Sequence, residues 1–144
     1  MYKEVYFEEL TESERACIEV SQYATDTSYA PYSNFRVGAA ALMEDGEVAI
    51  GSNQENASFT AGICAERALI YSASCVNRVI KMIAISARKG DDFVDCAPCG
   101  VCRQSLLEVE QKQKKDIRLI FRHNGKYIIT DNVRCLLPFA FSEF

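Results

Sequence analysis

The sequence has no long apolar run and no apolar leader segment. No stretch approaches the roughly 18 to 20 apolar residues that a membrane-spanning helix requires, so we expect no membrane partner. The first ten residues, MYKEVYFEEL, lack a basic start followed by an apolar core of signal-peptide length. The sequence therefore predicts a cytoplasmic protein.

The chain also lacks an excess of positive charge, since its formal net charge is -4. Binding to nucleic acid without regard to sequence needs clustered Lys and Arg that displace counterions from the phosphates. The charge therefore argues against a nucleic-acid partner and favours a small-molecule one.

Residues that break regular structure are scarce: the 144 residues include 7 Gly and 3 Pro, and 49% of the chain is apolar. This composition is typical of one ordinary globular domain with a sizeable core, which we expect to span residues 1–144. No linker or low-complexity tract divides it.

Cysteine is the residue type that stands out, with 7 in the chain. An odd number without a secretory signal disfavours a disulfide framework. The cysteines are better interpreted as metal ligands or as buried apolar residues.

Helical and strand patterns alternate along the chain. Thr11 and Glu14 form a capping-box signature at a helix start, and Asp45-Gly46 between two apolar runs indicates a β-hairpin. Helices interleaved with apolar strands predict a three-layer α/β/α sandwich with one mixed five-stranded sheet. The predicted helices are 12–25, 62–75 and 99–115, and the predicted strands are 36–43, 47–53, 79–88, 117–122 and 126–130.

Three cysteines lie in the stretch DCAPCGVCR. Cys99 and Cys102 fall at the predicted start of the third helix, where a step of three residues places both on one face. They can share a metal, and the helix N-terminus favours thiolates there. Cys96 precedes this turn and is interpreted as a small buried apolar residue. Alone, the pair fits a zinc knuckle, a redox dithiol or coincidence.

A third sulfur and a carboxylate distinguish these interpretations. Cys64 and Glu66 lie two residues apart at the predicted start of the second helix, where both side chains can face a metal. Three thiolates leave one position of a tetrahedral zinc open for water, which is typical of a catalytic site. A nearby carboxylate could serve as the base for that water.

The pattern Cys64-x-Glu66 with Pro98-Cys99-x-x-Cys102 resembles the signature of zinc-dependent nucleobase and nucleoside deaminases. More narrowly, the chain is similar to the small homotetrameric cytidine deaminases. The likeness runs in order through YAPYSNFRVGAA, GSNQENASF, CAER, PCGVCRQ and LLPFAF.

This resemblance implies a reaction in which water replaces the 4-amino group of cytidine or 2′-deoxycytidine, as in pyrimidine salvage. It implies one zinc ion per chain and a glutamate, Glu66, that carries the protons. Arg67 matches an arginine that hydrogen-bonds to ligand thiolates, while Arg103 could face the site or solvent. By resemblance, the metal ligands are Cys64, Cys99 and Cys102, and the substrate-binding residues are Phe35, Asn53, Glu55, Ala57, Phe59, Ala65 and Phe141.

Within the substrate set, Asn53 and Glu55 match the pair that binds the ribose 3′-hydroxyl, and Phe35 matches an aromatic lining of the pocket. Phe141 matches a phenylalanine that enters a neighbouring subunit and stacks on the pyrimidine. The resemblance therefore implies a homotetramer with shared active sites. Phe59 replaces the usual tyrosine, so any hydroxyl contact there is lost.

Other classes of function explain the sequence less completely. A structural zinc module leaves Glu66 without a role, and a redox dithiol would use Cys99 and Cys102 alone. A polynucleotide-editing deaminase is opposed by the negative net charge. The nearest alternative is a deaminase of the same fold acting on a related nucleoside such as blasticidin S. His123, the one histidine, does not match a ligand position and is interpreted as a turn residue.

Overall fold

A computed structural model describes residues 1–143. Within them, the chain forms a seven-stranded sheet with three α-helices. The strands are β1 (Tyr2–Val5), β2 (Phe35–Met43), β3 (Val48–Ser52), β4 (Ile80–Lys89), β5 (Asp92–Val94), β6 (Arg118–His123) and β7 (Lys126–Thr130). The helices are α1 (Glu12–Ala24), α2 (Ala65–Ile70) and α3 (Gly100–Gln113).

The sheet is mixed and has the strand order β1-β7-β6-β4-β2-β3, with β5 paired to the end of β4. The β4–β6 pair is parallel and the other pairs are antiparallel. The parallel pair needs a crossover connection, and α3 lies within it. The fold class predicted from the sequence is therefore confirmed, but the sheet has seven strands rather than five. The two additional strands are β1 and β5.

The two faces of the sheet carry separate apolar clusters, as alternation along each strand requires. Ala40, Met82 and Ala84 point toward α1, where they meet Cys17 and Ile18. Their strand neighbours face the opposite way and pack against α2 and α3; these are Ala39, Ala41, Ile83 and Ile85, with Leu69, Leu106 and Leu107 from the helices. The arrangement gives three layers, and the second cluster supports the helices that carry the sulfur atoms.

Helix α1 begins as predicted. The Thr11 side chain accepts from the Glu14 backbone N–H, and the Glu14 carboxylate accepts from the Thr11 backbone N–H at 2.8 Å. This reciprocal capping satisfies donors that a helix start leaves without partners.

Helix α2 is much shorter than the predicted range of 62–75, because it ends at Ile70. Beyond it, the Ser72 hydroxyl donates to the Leu69 carbonyl oxygen at 2.7 Å, and Asn77 has a φ of 60°. Serine hydroxyls that bond to nearby backbone groups compete with helical hydrogen bonds. The segment 71–78 is therefore a series of turns.

Gly51 allows α2 to lie directly on the sheet. A Cβ atom at this position would lie 2.7 Å from the Leu69 backbone nitrogen and 2.8 Å from its Cα. Only glycine permits so close an approach. The position of α2, and of the residues at its start, therefore depends on this residue in β3. None of the helices in the described part of the chain is long and apolar enough to cross a bilayer.

Candidate active site

Three sulfur atoms meet where α2 and α3 begin. Cys64 is the N-cap residue of α2, Cys99 is the N-cap residue of α3, and Cys102 lies in the first turn of α3. Their Sγ atoms all lie within 4.8 Å of one another, and those of Cys64 and Cys99 are 3.9 Å apart. Three converging thiols, with no fourth side-chain ligand among the described residues, fit a tetrahedral zinc that keeps one open position.

Cys96 lies near this group but outside it. Its side chain is half-buried and packs against the larger apolar cluster, and its thiol donates to the Ile85 carbonyl oxygen at 3.7 Å. Burial raises the pKa of this thiol to about 12, so the sulfur stays protonated. Its sulfur is not one of the three that converge at the helix starts, and its packing agrees with the interpretation of Cys96 as an apolar residue.

The surroundings of the Cys64 sulfur favour its thiolate form. The hydrogen bond with Cys102 and the Arg67 guanidinium lower its pKa to about 5, against the opposing effect of burial. Arg67 Nη2 donates to Cys64 Sγ at 3.5 Å, which is the contact to a ligand sulfur expected from the sequence. The proton stays on Cys102, whose pKa is raised first by its bond to the Cys64 sulfur and then by burial. The Arg67 guanidinium therefore offsets the negative charge of the Cys64 thiolate.

Glu66 is the second residue of α2 and is almost fully buried, with 4% of its surface exposed. Burial raises the pKa of its carboxyl group, and the neighbouring Cys64 thiolate raises it further. The cause is desolvation of the charged form, which makes this carboxyl group a better proton acceptor than an exposed glutamate.

A cavity of about 650 Å³ connects these groups with the loops before β2 and after β3. This volume lies within the range of small-molecule sites. Its lining includes nine of the site residues predicted from the sequence: Phe35, Asn53, Glu55, Phe59, Cys64, Ala65, Glu66, Arg67 and Cys99.

Sequence and structure comparisons agree on the family. A sequence model described as "Cytidine and deoxycytidylate deaminase zinc-binding region" matches residues 11–115. The chain belongs to this family. The chain therefore contains a zinc-binding deaminase domain, and its three-cysteine cluster is positioned to bind a metal ion.

Individual relatives are similar over most of the chain. A cytidine deaminase of Sporosarcina psychrophila is 41% identical over 128 residues, which are 88% of this chain and 89% of that protein. A cytidine deaminase of Halalkalibacterium halodurans is 45% identical over 87 residues, which are 60% of this chain and 64% of that enzyme's length. The crystal structure of cytidine deaminase from Burkholderia pseudomallei has a TM-score of 0.75 at 36% identity, and the match covers 92% of this chain and all of that one.

In this deaminase-family chain, Asn53 and Glu55 hold the loop that precedes β2. Asn53 Oδ1 accepts from Val37 N at 2.9 Å and from the Ser28 hydroxyl, and Asn53 Nδ2 donates to the Phe35 carbonyl oxygen at 2.9 Å. Glu55 accepts from two backbone N–H groups and one hydroxyl of the same loop. Asn53 and Glu55 therefore stabilise this loop, in addition to the contact with the ribose 3′-hydroxyl that is predicted for them.

Two predicted substrate residues do not line the cavity of this chain. Ala57 is exposed beside it, and its neighbour Asn56 contributes to the lining instead. Phe141 lies on the C-terminal segment with 70% of its surface exposed. The sequence has a further aromatic residue in this segment, Phe144, which lies outside the described residues.

The structure adds residues that sequence reasoning missed. Tyr32 and Ser33 line the cavity and bind Glu55, which is 22 residues from Ser33 in the chain. The turn-like stretch YAPYSNF indicated a loop there, but no local pattern pairs it with a distant carboxylate. Arg103 also has a defined place: it donates to the carbonyl oxygens of Pro98 at 2.8 Å and Leu136 at 3.1 Å, so it does not extend into solvent.

Proposed function

We propose that this chain is a zinc-dependent cytidine deaminase that converts cytidine and 2′-deoxycytidine to uridine and 2′-deoxyuridine. Water is consumed and ammonia is released in each turnover. The observation that carries this proposal is a cluster of three converging thiols, two of which, Cys64 and Cys99, line the same cavity as the buried Glu66.

The donor set fits zinc, because the ligands would be Cys64, Cys99 and Cys102 and because Arg67 donates to one of the sulfurs. When bound, zinc acts as a Lewis acid that makes a water molecule more acidic. Arg67 offsets part of the negative charge that three thiolates would otherwise place on the metal, and this keeps the site electrophilic.

Glu66 moves the protons. It follows the ligand Cys64 by two positions and faces the cavity from the first turn of α2. Its carboxylate accepts a proton from the attacking water and delivers it to N3 of the pyrimidine, while the new C–O bond forms at C4. The second proton of the water passes from the new C4 hydroxyl through Glu66 to the amino nitrogen, the C4–N bond breaks, the C4 carbonyl forms, and ammonia leaves.

Asn53 and Glu55 offer a complementary pair of contacts for an alcohol. The hydrogen bonds of Asn53 within the described chain use both acceptor sites of Oδ1 and one N–H, which leaves one N–H donor. Three hydrogen bonds to Glu55 leave one of its about four acceptor sites. A sugar hydroxyl can donate to Glu55 and accept from Asn53 at the same time.

The charge around the cavity favours a nucleoside over a nucleotide. Of the described residues that line it, Arg67 alone is basic, and its guanidinium donates to the Cys64 sulfur. Glu55 and Glu66 contribute the acidic side chains. A 5′-phosphate would find no cation to pair with, so we expect cytidine 5′-monophosphate and its deoxy form to be poor substrates.

We further propose that residues 1–144 form one catalytic domain, which assembles as a cytoplasmic homotetramer with shared active sites and serves pyrimidine salvage. The exposed aromatic side chains of the C-terminal segment support an assembly, since Phe139 and Phe141 present large apolar surfaces to solvent.

Turnover by the zinc-loaded protein tests the proposal. Release of ammonia, together with the matching deaminated product, would be measured with cytidine, 2′-deoxycytidine, cytosine, 2′-deoxycytidine 5′-monophosphate and blasticidin S. We expect the two nucleosides to react at least tenfold more efficiently than the others. The matched control is Glu66→Gln with its zinc content measured. A zinc-loaded wild-type protein that deaminates blasticidin S but neither nucleoside would contradict the assignment.

A further inference from the structure

The geometry points to Ser33 as a positioning residue that fixes the Glu55 carboxylate for recognition of the sugar 3′-hydroxyl. This inference rests on the proposed function, because it concerns how the same site distinguishes its substrates. Ser33 acts through Glu55, because the one proton of its hydroxyl is donated to that carboxylate.

Ser33 holds one specific oxygen of Glu55. Oε1 of Glu55 accepts from the backbone N–H groups of Tyr32 at 2.9 Å and Ser33 at 3.2 Å, which use both of its acceptor sites. Among the described residues, Oε2 accepts from the Ser33 hydroxyl alone. The remaining acceptor site of the carboxylate is therefore on Oε2, the oxygen that Ser33 orients.

The same hydroxyl also accepts from the backbone N–H of Phe35 at 3.0 Å. Between these two residues Asn34 has a φ of 56°, so the chain makes a tight left-handed step that brings the Phe35 nitrogen back to the serine side chain. One hydroxyl thus links Glu55 to Phe35, and both of these residues line the cavity.

The charge state of Glu55 agrees with this role. The Ser33 hydroxyl is the main cause of a lowered pKa at Glu55, and the N–H groups of Tyr32 and Ser33 act in the same direction. A carboxylate that stays ionised is an acceptor only, so it can take a proton donor such as an alcohol. Without the serine hydroxyl, Oε2 would lose its one partner among the described residues. The carboxylate would then be held only by the two hydrogen bonds to Oε1, and Oε2 could change its position.

Kinetics with two substrates that differ at one atom test the role. 2′-Deoxycytidine and 2′,3′-dideoxycytidine differ in the 3′-hydroxyl alone. We expect Ser33→Ala to lower kcat/KM for 2′-deoxycytidine by about 10- to 100-fold, the effect of a lost hydrogen bond to a charged group. For 2′,3′-dideoxycytidine we expect a change within about threefold, since the affected contact is absent there.

Matched variants separate positioning from general damage. Ser33→Thr keeps the hydroxyl and should restore most of the discrimination between the two nucleosides. Ser13→Ala removes a hydroxyl from an exposed position on α1 and should leave kcat/KM for both nucleosides unchanged. In a Glu55→Ala background, Ser33→Ala should have little further effect on the ratio of the two kcat/KM values. Equal losses on both nucleosides, or a full additional loss in that background, would overturn the inference.

A second measurement does not depend on catalysis. The pKa of the Glu55 side chain, followed by carbon-13 NMR in the zinc-loaded protein, should be higher in Ser33→Ala than in the wild type. If the wild type deaminated neither nucleoside, the proposed function would fail, and this titration would then decide the positioning role alone. An unchanged Glu55 pKa would overturn it.

Discussion

Gln104 Nε2 donates to the backbone carbonyl oxygen of Phe141 at 2.8 Å, which attaches the C-terminal segment to the helix that carries two of the metal ligands. Arg103, the preceding residue, donates to the Leu136 carbonyl oxygen at 3.1 Å. The last two residues of the PCGVCRQ motif therefore fix where the tail leaves the domain. The Phe141 side chain remains 70% exposed in one chain.

The tail is expected to act on a neighbouring subunit. Phe141→Ala should raise KM for cytidine several-fold with a smaller effect on melting temperature, because a lost aromatic stack costs about 0.5 to 1.5 kcal/mol beyond area burial. Removal of 139–144 should weaken assembly as well, as measured by sedimentation velocity at micromolar concentration. A fully active monomer in these experiments would contradict the shared site. Tyr23→Ala, at an exposed aromatic on α1, is the control for general surface effects.

The cysteines should differ in their effect on bound zinc. Cys99→Ser and Cys102→Ser should lose most of the metal, while Cys96→Ser should retain about one zinc per chain, because the Cys96 thiol bonds to Ile85 and lies outside the sulfur cluster. Elemental analysis of the purified variants measures this directly. Loss of zinc from Cys96→Ser as complete as that from Cys99→Ser would show that the sorting of sulfurs is wrong.

Glu66→Gln should keep the zinc and the fold but lose about 10²- to 10⁴-fold in kcat, the usual range for general acid–base assistance. The amide has nearly the same size, so the packing of this buried side chain is maintained. Initial rates with cytidine, together with zinc content and the melting curve, make the measurement. Activity within threefold of the wild type would remove Glu66 from the proton transfers.

Glu55→Ala should impair turnover of cytidine more than it impairs folding. The carboxylate is exposed at the cavity and holds the loop at Tyr32 and Ser33, so some loss of loop order is expected as well. Glu55→Gln keeps an acceptor and should be intermediate. Michaelis–Menten kinetics compared with thermal melting separate the two effects, and an unchanged KM and kcat in Glu55→Ala would argue against any sugar contact.

Lowering the pH should reduce the free energy of unfolding, in part because Glu14 becomes protonated. Burial opposes ionisation of this side chain, but hydrogen bonds from Thr11 and the ion pair with Arg118 outweigh it, so its pKa lies below the ordinary value of 4.5. A carboxyl group with a lowered folded-state pKa stabilises the fold above its unfolded pKa, and this contribution is lost as the pH falls through the folded pKa. Urea unfolding between about pH 3 and 7 should therefore show a smaller loss of stability on acidification in Glu14→Gln than in the wild type. Glu12→Gln, exposed on the same helix turn, should behave like the wild type.

How far the sequence predicts the fold depends on whether a pattern is local. The capping box at Thr11, the hairpin turn at Asp45-Gly46 and the strand 126–130 are all found where the sequence places them. Strand β1 was missed because three of its four residues are exposed, and β5 because it has only three residues. Both form by pairing with a partner strand, which is a tertiary effect that a short polar segment does not reveal.

The candidate site likewise contains residues that the sequence predicts and contacts that it does not. The ligand sulfurs and Glu66 were predicted because helix starts fix the directions of neighbouring side chains. The contact between Ser33 and Glu55 joins two loops, and the attachment of the tail by Gln104 spans 37 residues. Such contacts depend on the assembled sheet, so spacing along the chain contains no sign of them.

The separation of Cys64 and Cys99 along the chain means that a bound metal would also affect the stability of the fold. The 35-residue separation of these sulfurs includes all of β4, the strand that pairs with β2, β5 and β6. A zinc ion held by both sulfurs would link Cys64 to Cys99 and close the segment between them into a loop. Closing a loop removes conformations from the unfolded chain. Zinc bound at both sulfurs would therefore stabilise the fold by restricting the unfolded chain over the segment that includes β4, in addition to ordering the two helix starts.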